Sequence, residues 1–367
     1  MTQTMNWYEI EDQSELSTPA LVIYPDRIKQ NIETMIAIAG GVERLRPHVK
    51  THKMTEIIHL QMDYGIRKFK CATLVEAEMC AQCGAQDVLM AYQMVGTNVG
   101  LYLDMIERYP ATRFSSLIDN EYSWQELSAS ADKRGRVVDV YMDINSGMNR
   151  TGILLGAGAM NLYQRMTNDP QVHIKGLHVY DGHIHDSDLN MRTQRCKKEF
   201  AKVEQFVTEM KALGMDLPIV VAGGSPSFPI HAQSADRELS PGTTLLWDSG
   251  YGQSFADMEF LPAAVLVTRV ISQPTVASAC LDLGHKSVAS EMPHPRVLLL
   301  GLPKYEALNH SEEHLVISNE SIHLRMGQLC YAVPQHICPT VALHEQVYVV
   351  ENHRVTGQWK VAARKRY

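Results

Sequence analysis

The sequence of 367 residues has few cysteines, no long apolar run and no excess of basic residues. Its seven cysteines are odd in number and sparse for the length, which fits reduced thiols and argues against a disulfide framework. No run approaches the roughly 20 apolar residues that span a bilayer, and the first residues lack the basic and apolar parts of a signal peptide. We therefore expect a cytoplasmic protein without a membrane partner.

The charge balance excludes a second class of partner. Lysine and arginine number 34 against 41 aspartates and glutamates, for a formal charge of −7. Proteins that bind nucleic acid usually carry a basic footprint, so nucleic acid is not an expected partner. The length allows two or three domains, or one barrel of about 200 to 250 residues with a smaller domain.

Short β-branched runs alternate with helical patterns from about residue 26 to residue 250. Helical patterns fill most of the gaps between the runs. Eight parallel strands joined by helices predict a (β/α)8 TIM barrel, in which chemistry takes place at the carboxyl ends of the strands. The predicted strands are 44–50, 68–73, 87–92, 113–119, 137–144, 173–180, 218–224 and 240–248.

The texture changes after about residue 255 to alternating or β-branched runs without a long helical pattern. This pattern predicts an antiparallel β domain appended to the barrel. We place the barrel at residues 26–254 and the β domain at 255–367 together with 1–25.

The segment RLRPHVKTHK holds the most informative residues. On a strand, Leu45 and Val49 would face one side while Arg46 and Lys50 face the other. A lysine at the carboxyl end of a barrel strand, among other cations and in a dry surround, has the environment of a Schiff-base lysine. Lys53 competes with Lys50 for this role.

Two histidine patterns suggest metal binding. His336 and Cys338 stand two residues apart, so on an extended segment an imidazole and a thiolate would face the same way as a zinc-type pair. His183 and His185, flanked by Asp181 and Asp186, would suggest a metal hydrolase. That motif usually closes the first strand of such barrels, so we interpret His183 and His185 as pocket residues and not as ligands.

The motifs together resemble those of a known family. They are STPALVIYPDRIKQNI, RPHVKTHK, KFKCATLVEAE, DINSGMNRTG, AGGSPS, ELSPGT, DLGHKSVASE and PQHIC. The chain resembles the fold-type III pyridoxal-phosphate (PLP) enzymes, in particular the branch of D-threonine aldolases, D-serine dehydratases and 3-hydroxyaspartate-processing enzymes. The resemblance implies an alanine-racemase-like barrel with an appended β domain, and a homodimer.

The resemblance also implies roles for individual residues. Lys50 would carry PLP, Arg150 would contact the phenolic oxygen of the cofactor or the substrate carboxylate, and Tyr180 would lie near the pyridine nitrogen. His336 and Cys338 would bind a divalent metal, zinc in the first place, with manganese and magnesium as alternatives. Glycine-rich loops let a backbone approach a phosphate, and the expected phosphate-binding residues are Gly223, Gly224, Ser225, Gly242 and Thr243.

We therefore expect a lyase that acts on a small D-β-hydroxy-α-amino acid. A D-threonine aldolase would release glycine and an aldehyde. The alternative is a D-serine or 3-hydroxy-D-aspartate dehydratase, which would release a keto acid and ammonia. Alternatives from other functional classes are a PLP-binding homeostasis protein and a metal hydrolase. A racemase is an alternative within the PLP enzymes, and it would need a second base, for which Tyr331 is the candidate.

Overall fold

The structure is a computed structural model that describes residues 5–13, 16–216, 218–302, 304–320 and 323–366. The described residues form two compact units. Unit 1 draws on Met1–Thr34, Thr51–Glu56 and Thr243–Arg364, and unit 2 on Met35–Lys50, Ile57–Gly242 and Lys365–Tyr367.

Strands and helices follow one another along the chain. The strands are β1 (Ala20–Ile23), β2 (Lys68–Cys71), β3 (Asp87–Gln93), β4 (Arg113–Ile118), β5 (Val138–Ile144), β6 (Val172–Val179), β7 (Ile219–Ala222), β8 (Arg237–Leu239), β9 (Ala264–Thr275), β10 (Ser278–Leu281), β11 (Val297–Leu299), β12 (Ala307–His310), β13 (Leu315–Ser318), β14 (Leu329–Pro334), β15 (Gln346–Glu351) and β16 (Arg354–Lys360). The helices are α1 (Pro25–Ala39), α2 (Thr55–Asp63), α3 (Leu74–Gln82), α4 (Thr97–Arg108), α5 (Glu121–Asp132), α6 (Ala157–Thr167), α7 (Leu189–Ala212), α8 (Phe228–His231), α9 (Ser249–Ser254) and α10 (Ile337–Leu343).

Unit 2 is built on a parallel sheet of seven strands in the order β2-β3-β4-β5-β6-β7-β8. A helix follows each of the strands β2 to β7 in the chain, as parallel pairing requires. The strands are mostly buried because helices cover the sheet, and their β-branched and apolar residues suit such a surface. The predicted barrel class is confirmed.

The predicted first strand, 44–50, is not a regular strand. Its residues pair with the sheet only through single bridges, from Leu45 to Leu239 and from His48 to Lys70. Pro47 lies between them and has no N–H to donate, which prevents a continuous ladder. The segment nevertheless hydrogen-bonds to both edge strands of the sheet and so takes the place of the eighth strand of the barrel.

Residues on both predicted faces of this segment are buried, so the predicted alternation stays a prediction. Leu45 and Val49 are fully buried among apolar residues. Arg46 is buried as well, and its guanidinium forms ion pairs of 2.5 Å with Asp87 and 2.8 Å with Glu238. A buried arginine of this kind is tolerated only because carboxylates compensate its charge.

The predicted strand 240–248 is wrong. The last strand of the sheet, β8, ends at Leu239, and residues 243–245 form a 3₁₀ turn. Pro241 cannot donate to a ladder, so the strand stops before it. Asp248 then caps α9, with its carboxylate accepting a hydrogen bond from the Tyr251 N–H at 2.9 Å.

Unit 1 contains a nine-stranded, mainly antiparallel sheet. Its strands run in the order β12-β13-β10-β9-β1-β15-β16, β14 also pairs with β9, and β11 pairs with β14. Among the described strand pairs of this sheet, only β1 and β15 are parallel. This agrees with the predicted β-rich second domain. The boundaries 26–254 and 255–367 with 1–25 stay a prediction, and within them residues 1–4, 14–15, 217, 303, 321–322 and 367 lie outside the described residues.

Membrane insertion finds no support among the helices. Within the part of the chain that the structure describes, none combines the length and the apolar character that a bilayer crossing needs.

Candidate active site

A cavity of about 420 Å³ lies in unit 2. This volume falls within the range of small-molecule and cofactor sites. The lining includes Lys50 and not Lys53, in agreement with the preference for Lys50. None of the described lining residues is acidic, and the polar ones include His48, Lys50, Lys70, Arg150, His178 and Tyr180.

Three cations surround the ring of Tyr180, which follows the end of β6. Lys50 Nζ and Lys70 Nζ lie 5.9 and 5.7 Å from the ring centroid. The guanidinium carbon of Arg150 lies 5.0 Å from it. The structure thus brings together Lys50, Arg150 and Tyr180, which sequence analysis predicted. A cavity with these charges favours an anionic ligand.

Lys70 is a lysine that sequence analysis missed. It is almost completely buried on β2. Burial and the neighbouring Lys50 ammonium lower the pKa of Lys70 to about 7, although Asp181 and Asp143 oppose the shift. A part of the Lys70 side chains is therefore neutral near pH 7. The motif KFKCAT offered a signal, because alternation from a buried Phe69 places Lys70 on the opposite face of the strand.

The predicted phosphate-binding loops are close to each other. The N–H of Gly242 donates to Ser225 Oγ at 3.2 Å, which ties the loop after β8 to the loop after β7. Gly223 has a φ of +78°, and a Cβ atom there would lie 2.7 Å from the ring of His231. Only glycine fits this position without displacement. Both loops are buried, as a cradle for a phosphate requires.

A buried network holds the loop after β7 in place. Asp181 accepts hydrogen bonds of 2.6 Å from Ser227 Oγ and 2.7 Å from His231 Nε2. Arg237 donates to His231 Nδ1 at 2.8 Å. Asp181, His231 and Cys196 are close enough together to bind a metal ion. However, donation from Arg237 leaves the neutral ring with its hydrogen on Nε2, directed at Asp181, so we interpret the cluster as support for the loop.

The histidines of the HIH motif do not form a metal cluster among the described residues. His183 Nε2 pairs with Glu199 Oε2 at 2.5 Å, and His185 is exposed. That they are not metal ligands stays a prediction. Their predicted place in the pocket receives no support, since neither lines the cavity.

His336 and Cys338 lie together in unit 1. The expected extended segment is wrong, because His336 precedes α10 and Cys338 lies in its first turn. Cys338 Sγ contacts Thr51 Oγ1 at 3.1 Å and Thr243 Oγ1 at 3.5 Å. Thr243, predicted to bind phosphate, is thus a neighbour of a predicted metal ligand.

The surroundings of His336 suit a divalent cation. Burial disfavours its protonated form, but contact with Cys338 and the charges of Asp248 and Glu291 outweigh burial and raise the pKa of His336 to about 9. Glu291 Oε1 lies 2.7 Å from Nδ1. An imidazole nitrogen beside a thiol sulfur is a typical pair of zinc ligands.

Asp248 connects two helix starts and so orients this pair. One oxygen caps α9, and the other accepts a hydrogen bond of 3.0 Å from the N–H of Ile337, the first residue of α10. Burial raises the pKa of Asp248 to about 6, while the hydrogen bonds from Tyr251 and Ile337 favour the carboxylate. The sequence patterns assign no role to Asp248.

The comparisons with known proteins show the family of the chain. Residues 23–249, more than half of the chain, match the family described as "Alanine racemase, N-terminal domain". The chain belongs to this family. Residues 263–350 of the chain match a second family, described as "Putative serine dehydratase domain". The resemblance inferred from the motifs is confirmed.

The chain aligns with several relatives over almost its whole length. It is similar to a D-threonine aldolase of Arthrobacter sp, with 28% identity over 96% of this chain and 93% of the relative. A 3-hydroxy-D-aspartate aldolase of Paracoccus denitrificans has the same identity and coverage. A solved structure of D-threonine aldolase from Filomicrobium marinum has 27% identity and a TM-score of 0.88, covering 95% of this chain and 96% of that one.

The stability of the cofactor-free protein should reveal the buried Lys70. In the unfolded chain the Lys70 amine has a pKa of 10.5, whereas in the folded chain its pKa is about 7. The burial of Lys70 therefore lowers the free energy of unfolding most below pH 7, and this effect is lost above about pH 10.5. We expect Lys70→Met to unfold at a higher temperature than the wild type at pH 6. The gap should narrow between pH 7 and pH 10 in thermal unfolding followed by circular dichroism. A gap independent of pH would contradict the assignment.

PLP binding by the two loops should require Gly223, whereas Gly214, a glycine of similar φ, should not be required. Gly223 and Gly214 have φ values of +78° and +74°, but a Cβ at Gly214 would meet nothing within 4 Å. Both alanine variants add backbone strain of about 1 kcal/mol. Only Gly223→Ala should also weaken PLP binding, by about tenfold or more in a fluorescence titration. Equal PLP affinities in the two variants would exclude this role for the loop.

Proposed function

We propose that the chain is a PLP- and divalent-metal-dependent lyase that cleaves D-β-hydroxy-α-amino acids into glycine and an aldehyde, as a D-threonine aldolase does. The observation that carries the proposal is a lysine, Lys50, in a cationic cavity of cofactor size. Similarity to two aldolases over almost the whole chain supports it. We further propose a homodimer in the cytoplasm.

The residues of the cavity fit PLP by their chemistry. Lys50 supplies the amine that holds it, and Arg150 supplies planar donors for an oxygen anion. The loop residues Gly223, Gly224, Ser225, Gly242 and Thr243 would bind the phosphate. Bound PLP supplies an electron sink for the bond that breaks at the substrate α-carbon. Tyr180 contributes a neutral hydroxyl beside these cations.

His336 and Cys338 would hold the divalent metal. A thiolate and an imidazole favour zinc over magnesium, and manganese is intermediate in these preferences. The metal supplies Lewis acidity towards oxygen, which lowers the pKa of a hydroxyl group. Asp248 keeps the two ligands oriented by fixing the start of α10.

A dehydratase is the second candidate, on a specific observation. Residues 263–350 match a putative serine dehydratase domain, and they include both proposed metal ligands. In that reaction the substrate would lose its α-proton and its β-hydroxyl group, and a keto acid and ammonia would result. A racemase is less favoured, because the hydroxyl of Tyr331 is buried and accepts a hydrogen bond of 3.0 Å from the N–H of Ile10.

Product analysis tests the proposed reaction. Purified protein with PLP and Mn²⁺ or Zn²⁺ is incubated with D-threonine, D-serine and 3-hydroxy-D-aspartate, and glycine, aldehyde and keto acid are assayed separately. We expect glycine and an aldehyde. Keto acid without glycine would indicate the dehydratase, bound PLP without any turnover a homeostasis protein, and hydrolysis without PLP a metal hydrolase.

The lysine assignment has a test of its own. Wild-type protein with PLP should show an absorption band that borohydride traps as a covalent adduct. Lys50→Ala should lose the adduct, because its amine is the proposed attachment point, and Lys53→Ala should keep it. Mass spectrometry of the reduced peptides identifies the modified residue. The reverse result for the two variants would show that Lys53 carries the cofactor.

Removal of the metal should affect turnover and leave PLP binding intact. Treatment with EDTA, or the variants His336→Ala and Cys338→Ala, should lower kcat by roughly a hundredfold or more, because a Lewis acid contributes several kcal/mol to such steps. Bound metal is measured by atomic emission and bound PLP by absorbance. His344→Ala, at the other end of α10, is the control. Full turnover in metal-free protein would contradict the proposed site.

A further inference from the structure

A buried histidine of the cavity has no role in the family resemblance. His178 on β6 and Asp143 on β5 are register partners in the parallel sheet. His178 Nδ1 lies 2.7 Å from Asp143 Oδ1, and the two side chains are only 6% and 4% exposed. Because the sheet register sets this pair, its geometry is defined by the backbone and not by a flexible loop.

Asp143 determines which nitrogen of His178 carries the hydrogen. Its other oxygen accepts a hydrogen bond of 3.0 Å from Gln93 Nε2. Burial disfavours the carboxylate, but hydrogen bonds from His178, Thr151 and Gln93 outweigh burial and lower the pKa of Asp143. A carboxylate only accepts hydrogen bonds, so Nδ1 of His178 must donate. In the neutral ring Nε2 is then an acceptor.

The charged groups around His178 keep it neutral. Burial lowers its pKa, and Lys70 on β2 and Arg150 after β5 lower it further, while Asp143 opposes them. The pKa of Lys70 is in turn lowered by burial, by Lys50 and by Arg46, and it is raised by Asp181 and Asp143. The imidazole is therefore uncharged near pH 7.

The acceptor nitrogen belongs to a residue of the cavity lining. His178 belongs to the cavity lining, and among the described residues its buried Nε2 has no hydrogen-bond partner. An unpaired buried polar atom costs free energy, so a ligand that donates to it would be favoured. The other imidazole of the cavity differs, since His48 Nδ1 accepts the N–H of Lys50 at 3.3 Å.

The cations of the cavity match only some atoms of the proposed cofactor. Lys50, Lys70 and Arg150 carry donors alone, which suit a phosphate, a phenolic oxygen or a carboxylate. The protonated ring nitrogen of PLP needs an acceptor instead. Tyr180, the residue implied near this nitrogen, follows His178 by two positions, and on an extended chain both side chains face the same side.

We propose that His178 Nε2 accepts a hydrogen bond from the protonated ring nitrogen of bound PLP, and that Asp143 positions the imidazole for this contact. The inference rests on the proposed function, because it requires PLP in the cavity. A neutral imidazole held by a carboxylate favours the protonated ring, and the protonated ring is the stronger electron sink. The chain would thus obtain from His178 and Asp143 a support that the neutral hydroxyl of Tyr180 provides only weakly.

The same two strands provide a matched control pair. His173 Nδ1 lies 2.8 Å from Asp139 Oδ1, and these residues are also register partners on β6 and β5. His173 is 60% exposed and is not among the cavity-lining residues. The two pairs therefore share their hydrogen bond and differ in their access to the cavity.

The test measures PLP binding and the spectrum of bound PLP, not activity. PLP and its 1-deaza analogue, in which a carbon replaces the ring nitrogen, are titrated into the wild type, His178→Leu, His178→Gln and His173→Leu. We expect His178→Leu to bind PLP about tenfold more weakly than the wild type and to shift the pH titration of its absorption band. His178→Gln should recover part of the affinity, since its amide oxygen accepts a hydrogen bond. His173→Leu should match the wild type.

The analogue separates contact with the ring nitrogen from a general effect on the pocket. Wild type and His178→Leu should bind 1-deaza-PLP with equal affinity, because the analogue has no ring N–H to donate. A tenfold loss with both ligands, or no loss with either, would overturn the inference. If His178→Leu does not fold, His178→Ala, which also lacks an acceptor, replaces it in the comparison of the two ligands. Absence of any PLP band in the wild type would refute the proposed function itself.

Discussion

Four backbone hydrogen bonds of one short segment hold the site of unit 2 together. Arg46 and His48 donate to the carbonyls of Leu239 and Pro241, both at 2.8 Å. On the other side, Pro47 accepts from the N–H of Lys70 at 2.8 Å and Val49 donates to the carbonyl of Lys70 at 2.9 Å. The segment thereby joins the two edges of the seven-stranded sheet. An edge strand with unpaired backbone groups would otherwise be exposed on either side.

These bonds also fix the positions of the functional side chains. They place Lys50 at the end of the segment and Lys70 beside the segment. They also place Gly242 next to Pro241, whose carbonyl accepts the N–H of His48. As a result, the interior of the barrel contains two groups of charged residues, one around Arg46 and one in the cavity lining. Arg46 is compensated by Asp87 and Glu238, whereas the described lining of the cavity has no acidic residue. The cavity is therefore cationic within a chain whose formal charge is −7.

The sequence patterns predicted the class of both sheets because hydrophobic periodicity reports burial directly. Six of the eight predicted strands agree with observed strands to within two residues at either end. The failures occur at prolines, since Pro47 and Pro241 interrupt ladders that a β-branched composition alone would extend. The His336 and Cys338 pair was identified from its residue types, but its geometry comes from a helix start and not from an extended segment.

Lys50, Arg150, Tyr180 and the glycine loops could be found from the sequence, because each belongs to a motif with its own chemical or conformational signature. Asp143, His178 and Lys70 could not be assigned in this way. Each lies on a strand that carries other polar residues as well, such as Lys68, Asp139 and His173, and alternation shows only that it faces the side opposite to its neighbours. The register of β5 with β6 decides that Asp143 meets His178, and the sheet's closure through residues 45–49 decides that Lys70 meets Lys50. Register and closure are properties of strands distant in sequence, so only the tertiary structure determines them.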